Sequence, residues 1–316
     1  MSDERHLGGL PLEGLGSEFM DVLRKLDGAF VDLAAGEGAP LGFDPRRFIA
    51  PGVPRVRPVL VLLSARAAGS PGAVPPDPSA TEHVAAAAEL LHFAVLVHDA
   101  ALGRHGGRRR RVARRILGRT VGFLGGNYLT LRALELSRTT PAPEIVGDLL
   151  ETMREISSGH AMRQSFGERL PSPAEAMSMA EHHTGAGFRF ACRSGARVAG
   201  ASRASTTALG RYGHHTGIAW ALTEDLVSVN PALPLTAPGG IIDRAESGRP
   251  GLTIAIAAER SSAIAPAWAR LVHDPTDEAA SAFLELVNST GAPLETRRRI
   301  AQEAWSARTA LRVIPE

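Results

Sequence analysis

Residues 85–115 read AAAAELLHFAVLVHDAALGRHGGRRRRVARR, and this stretch decides the fold. It opens as an apolar helix and places His92, His98 and Asp99 near the helix end. It breaks at Gly106-Gly107 and then presents four consecutive arginines, Arg108 to Arg111. His92 and Asp99 are seven residues apart, about two helical turns, so both side chains point the same way. A carboxylate and an imidazole on one face, followed by an arginine cluster, suit an anionic ligand that carries a metal. The competing structural reading has the carboxylate capping or pairing locally and the arginines forming a solvated turn.

Outward from this stretch the chain reads almost wholly helical. Residues 1–15 read as a flexible tail, and 16–316 as one helical domain. A first helix is expected over 17–35, with Phe19, Val22, Leu23, Leu26 and Phe30 at helical spacing. Gly and Pro make loops of 36–54 and 70–80. Arg55 and Arg57 sit just before Pro58, where a helix starts with Pro in its first turn. Val112 to Arg138 is helical, and its Gly125-Gly126 pair allows close backbone approach. Further helices fit 144–166, 173–199, 203–229, 251–271, 276–289 and 293–311, with a loop over 231–240. No run of alternating β-branched residues marks a strand.

Composition narrows the partners. Hydrophobic residues are 44% of the chain and aromatics only 5%, so the core is aliphatic and suits close helix packing. A net charge of +2 is too small to imply nucleic acid. Lysine occurs once, at Lys25, so 34 of the 35 basic residues are arginine. Phosphate contacts must therefore come from the arginine fork or from histidine. A single cysteine, Cys192, excludes an internal disulfide and a cysteine zinc site. The N-terminal MSDERHLGG is polar, and no segment reaches 18 apolar residues without a charge, so the expectation is a cytoplasmic protein with no membrane span.

The order of features over 45–270 resembles the trans-isoprenyl diphosphate synthases, or polyprenyl synthetases. The family pattern Gly-Gly-Lys-Arg-x-Arg-Pro stands here as Gly52-Val53-Pro54-Arg55-Val56-Arg57-Pro58. The segment before and into the first aspartate motif is Glu89-Leu90-Leu91-His92, running on to His98-Asp99-Ala100. The family's Arg-Arg pair falls on Arg108-Arg109, and Ala-Gly-Asp-Tyr-Leu becomes Gly125-Gly126-Asn127-Tyr128-Leu129. Lys-Thr-Gly-Ala becomes His183-Thr184-Gly185-Ala186. The second aspartate motif reads Ala221-Leu222-Thr223-Glu224-Asp225-Leu226-Val227-Ser228, and the late Gly-Lys is Gly248-Arg249.

The resemblance implies an all-α, isoprenoid-synthase-type helical bundle around a central cavity. In the family, two aspartate motifs hold Mg²⁺ against an allylic diphosphate. Here Asp99, Glu224 and Asp225 keep those places as candidate catalytic and metal residues. Ala100, Gly103 and Ser228 replace the family's other acids, and Pro54 and His183 replace its lysines. Mg²⁺ needs near-octahedral oxygen ligands, so weak or lost metal binding is expected. The isopentenyl diphosphate side keeps Arg55, His92 and Arg108 or Arg109. Arg57, His183, Thr184 and Arg249 complete the candidate substrate-binding set.

Three functions compete on this scaffold. One is a head-to-tail prenyltransferase with a degenerate metal site, acting on isoprenyl diphosphates. Another is a non-catalytic subunit pairing with an active prenyl synthase. The last is a non-standard terpene cyclase. A homodimer or heterodimer is expected. His182, His183, His214 and His215 do not suit zinc, because adjacent helical histidines diverge by about 100°.

Overall fold

The computed structural model describes residues 6–7, 10–11, 25, 29–30, 32–34, 55–69, 77–102, 108–166, 169–233 and 240–314; the side chains of 6–7, 10–11, 100, 102 and 108–119 lie outside that description. Gly103 and the Gly106-Gly107 break also lie outside it, as do Pro54 and most of the expected 1–15 tail, first helix and first loop. Within 1–15, β1 (His6–Leu7) pairs antiparallel with β2 (Leu10–Pro11).

The described remainder is helical. It comprises α1 (Val56–Ala68), α2 (Pro78–Leu102), α3 (Arg108–Arg138), α4 (Glu144–Ser165) and α5 (Pro173–Ala180), then a π turn (Glu181–Gly185) and α6 (Ala186–Val198). After these come α7 (Arg203–Ser228), α8 (Ile241–Ser247), α9 (Leu252–Arg260), α10 (Ile264–His273), α11 (Asp277–Ser289) and α12 (Ala292–Ala310), closing in a 3-10 turn (Leu311–Val313). The all-α bundle expected from sequence is what forms.

The structure departs from the sequence reading in that α8 (Ile241–Ser247) was not expected and α3 begins at Arg108 rather than Val112; three further boundaries differ for a local reason. α2 begins at Pro78, inside the expected loop. Asp77 Oδ1 accepts the Ser79 N–H at 2.9 Å, and proline in first position needs no donor. The helix read over 251–271 splits between α9 and α10. Pro266 would clash with the carbonyl four residues back, and Ser261-Ser262 lies where that clash falls, so Ser261 turns extended. The helix read over 173–199 contains the π turn. Its start was legible: Ser172 and Glu175 form a capping box with Pro173 in first position.

α2 is the centre of the bundle. Ala85, Ala86, Ala87 and Ala88 are each at most 2% exposed. Four consecutive helical positions point in four directions, so the helix is covered all round. α1, α3 and α6 pack against it. Its segment Pro78–Asp99 is long and apolar enough to cross a membrane, but 72% of that window is buried inside the protein, as the central helix of a bundle is. A first core gathers Leu60, Leu90, Leu129, Phe188 and Phe190. A second gathers Ile254, Trp268, Phe283 and Leu284. α7 joins them, giving Leu209 to the first and Ile218 and Leu222 to the second.

Charge pairing fixes α4 against α6. Arg197 Nε meets Asp148 Oδ2 at 2.6 Å, Arg193 Nη2 meets Asp148 Oδ1 at 2.9 Å, and Arg189 Nη2 meets Glu155 Oε1 at 2.6 Å. Acid numbers rise as arginine numbers fall, so the helices run antiparallel. Gly195 brings α6 onto α1: a Cβ there would collide with the Val61 carbonyl. Helix propensity alone would make Gly195→Ala stabilising by about 1 kcal/mol. The close approach reverses the sign, and we expect a loss of about 1–3 kcal/mol in denaturant unfolding. An unchanged or higher midpoint would contradict this packing.

Candidate functional site

Asp99 comes from the end of α2 and is 4% exposed. Arg163 of α4 donates a hydrogen bond to its Oδ1, and Arg249, just past α8, forms an ion pair with Oδ2. His160 Nε2 lies 3.7 Å from Oδ1. Three elements distant in sequence thus meet on one carboxylate. Gly248 makes this possible for Arg249: with φ +60° it ends α8 in the left-handed region and turns the chain back. Burial pushes the Arg249 guanidinium down to about 10, so it stays charged at neutral pH.

Histidines surround this pair. His183 lies in the π turn and stacks on His160, ring centroids 4.5 Å apart at 24°. Such turns break the helical register and recur at functional sites. Burial lowers His183 to about 3, with His160 and Arg163 adding to it. Burial likewise lowers His160 to about 4, helped by Arg163 and His98. His98 Nε2 hydrogen-bonds Asn127 Oδ1 at 3.1 Å. Gly126 allows this, since a Cβ there would run into the His98 ring.

A second group adjoins. His92 is held neutral well below the ordinary histidine range, by burial first and then by Arg57 and Arg249. Arg57 lies 3.9 Å from the buried Glu89 carboxylate and over the Phe188 ring at 5.3 Å. Burial lowers its pKa, opposed by Glu89 and Glu224. The structure therefore groups Arg57, His92, Asp99, His183 and Arg249 through direct contact or field. Arg55 is 5% exposed and stacks over Phe30 at 4.3 Å. Thr184 sits in the π turn beside His183, partly buried. Arg108 and Arg109 open α3, and their side chains lie outside the described set.

The acids of the second motif have other partners. Asp225 is 2% exposed, and its Oδ2 accepts both the Thr253 N–H at 2.7 Å and the Thr253 hydroxyl at 2.8 Å. It thereby caps the N-terminus of α9, as carboxylates favour. Arg244 Nη1 is 3.6 Å from its other oxygen. Glu224 is exposed and accepts from Trp220 Nε1 at 3.0 Å. The paired histidines also separate. His182 Nδ1 lies 2.7 Å from the Ser178 carbonyl oxygen, and His215 Nδ1 lies 2.7 Å from Glu303 Oε2.

The profile of the polyprenyl synthetase family matches residues 46–232. The protein belongs to the polyprenyl synthetase family. It is 32% identical over 179 residues to a (2E,6E)-farnesyl diphosphate synthase of Mycobacterium tuberculosis H37Rv, covering 55% of this chain and 48% of the relative. The chain thus spans about half the length of that relative. It is 27% identical over 220 residues to heptaprenyl diphosphate synthase component 2 of Geobacillus stearothermophilus, covering 69% of this chain and 67% of the relative. The crystal structure of a polyprenyl synthase from Caulobacter crescentus, complexed with calcium and isoprenyl diphosphate, superposes with TM-score 0.79 at 26% identity, over 93% of this chain and 89% of that one.

Among the described residues, no group of three or more His, Cys, Asp or Glu is arranged to hold a metal ion. Asp99 is engaged by two guanidinium groups and Asp225 by a helix N-terminus.

Sequence reasoning missed Arg163, His160, Glu89 and Arg244. The one visible signal was His160 and Arg163 at i, i+3, one turn apart in an amphipathic helix. A solvated helix face shows the same pattern.

The neutral histidines set an acid limit on stability. The folded His183 pKa of about 3 lies below the unfolded value of about 6.5. Between those values the unfolded chain binds the extra proton, so stability is full above pH 6.5 and falls as pH falls. We expect wild type to lose about 1–2 kcal/mol more than His183→Gln between pH 7 and pH 5, by urea unfolding. Identical pH profiles would remove His183 as the cause.

Proposed function

We propose that the protein binds isoprenyl diphosphates at the cluster around Arg57, His92 and Arg249. In this reading it carries out head-to-tail prenyl transfer weakly or in altered form. The supporting observation is the engagement of Asp99 by Arg163 and Arg249. A carboxylate neutralised in this way is a poor magnesium ligand. The guanidinium groups beside it are good phosphate ligands, since each offers a bidentate fork.

The reaction ionises an allylic diphosphate, and the double bond of isopentenyl diphosphate attacks the carbocation and then loses a proton. Arg57, Arg163 and Arg249 stabilise the charge that grows on the departing diphosphate. His92, held neutral by burial, offers a donor to phosphate oxygen without a second fixed charge. Mg²⁺, when bound, would add Lewis-acid polarisation of the leaving group.

A second reading makes the chain a subunit that supports an active synthase. It draws on the likeness to a relative named as a component of heptaprenyl diphosphate synthase. Either reading includes a dimer. Phe123, Leu124 and Leu131 of α3 are 45%, 45% and 58% exposed, and Leu124 and Leu131 share one helical face. No observation favours the cyclase reading.

Radiolabelled isopentenyl diphosphate with Mg²⁺ and each allylic primer tests the reaction, with the chain alone and with a co-encoded synthase. We expect slow condensation alone. Turnover of ordinary size that vanishes in Asp99→Ala would show instead that the remaining acids hold a working metal. Calorimetry in EDTA tests binding: Arg57→Ala or His92→Ala should weaken isopentenyl diphosphate by roughly ten- to a hundred-fold. Unchanged affinity in both variants would place the ligand elsewhere.

A further inference from the structure

We infer that Asp99 is a built-in competitor for a diphosphate, which binds by exchanging with this carboxylate on Arg163 and Arg249 without a metal. Diphosphate as the incoming anion rests on the proposed function; the exchange rests on geometry alone. Two guanidinium groups from separate elements converge on one carboxylate. Arg163 and Arg249 meet on the single charge of Asp99, and a diphosphate would bring more negative charge to the same two guanidinium groups.

Polar atoms are also left over. The Nε–H of Arg249 is buried there with no hydrogen-bond partner, as is the Nε2 of His160, which donates in one of its two neutral tautomers. A carboxylate has two oxygens and one charge, whereas a diphosphate has more acceptors and more charge. It can serve both arginine forks and the leftover Arg249 donor together. Asp99 competes well only because it is tethered, at high effective concentration. Its effect on binding is therefore opposite in sign to that of a metal ligand. A metal ligand strengthens diphosphate binding, and a tethered competitor weakens it.

The test is calorimetry of the full chain with inorganic pyrophosphate in EDTA, comparing wild type with Asp99→Asn, Arg163→Gln and Arg249→Gln. Asp99→Asn keeps the side-chain shape and removes the charge. It should bind pyrophosphate at least about ten-fold tighter than wild type, and each arginine variant at least about ten-fold weaker. Equal or weaker binding by Asp99→Asn would overturn the exchange, as would wild-type affinity in both arginine variants. Asp99→Asn leaves two arginines unpaired and can lose stability, so thermal melts run alongside. Pyrophosphate should raise its Tm by more than it raises that of wild type. A smaller or equal shift overturns the exchange.

The result separates from the proposed function. Tighter binding by Asp99→Asn with no condensation by wild type keeps the exchange and removes the transferase reading. Weaker binding, with Mg²⁺-dependent condensation lost in Asp99→Asn, does the reverse.

Discussion

The Asp99 carboxylate is held between the guanidinium groups of Arg163 and Arg249, and this contact constrains everything around it. It ties the end of the central helix to α4 and to the turn after α8. A buried pair of this kind adds little to stability when complete, but loss of one partner costs about 3–5 kcal/mol. Asp99, Arg163 and Arg249 therefore cannot vary independently. Burial first, and neighbouring arginines second, keep His92, His160 and His183 neutral, and the fixed positive charge of the region resides on arginine.

In the proposed reading, guanidinium groups of the chain take the part that dissolved cations play in a carboxylate-rich mouth. Asp225 illustrates the shift: its two bonds to Thr253 and its neighbour Arg244 make it the cap of α9. The α4–α6 ion-pair ladder repeats the preference for arginine at contacts between helices, as a chain with a single lysine must.

Much of the fold was legible because it rests on local rules. The aliphatic, aromatic-poor composition pointed to close helix packing, and the expected start of a helix at Pro173 is where α5 begins, on a capping box from Ser172. The spacing of His92 and Asp99 put both on one side of α2. What sequence could not show was pairing across elements. Arg163 looks like any exposed helix arginine until the fold brings its guanidinium to Asp99. Asp225 matched a metal motif by position, and only the docking of α9 reveals Thr253 on its oxygens. Arg55 and Arg57 looked equivalent beside Pro58. Folding puts one over Phe30 and the other beside Glu89. The split at Ser261 was local and readable, since Pro266 forbids a continuous helix.

Anomalous diffraction from crystals grown with Mn²⁺ and pyrophosphate tests the central claim most directly. Mn²⁺ shares the oxygen preference of Mg²⁺ and is visible at its absorption edge. The account predicts pyrophosphate on the guanidinium groups of Arg163 and Arg249, with no anomalous peak at Asp99. Manganese bridging Asp99 and the pyrophosphate, with the two arginines turned away, would contradict it.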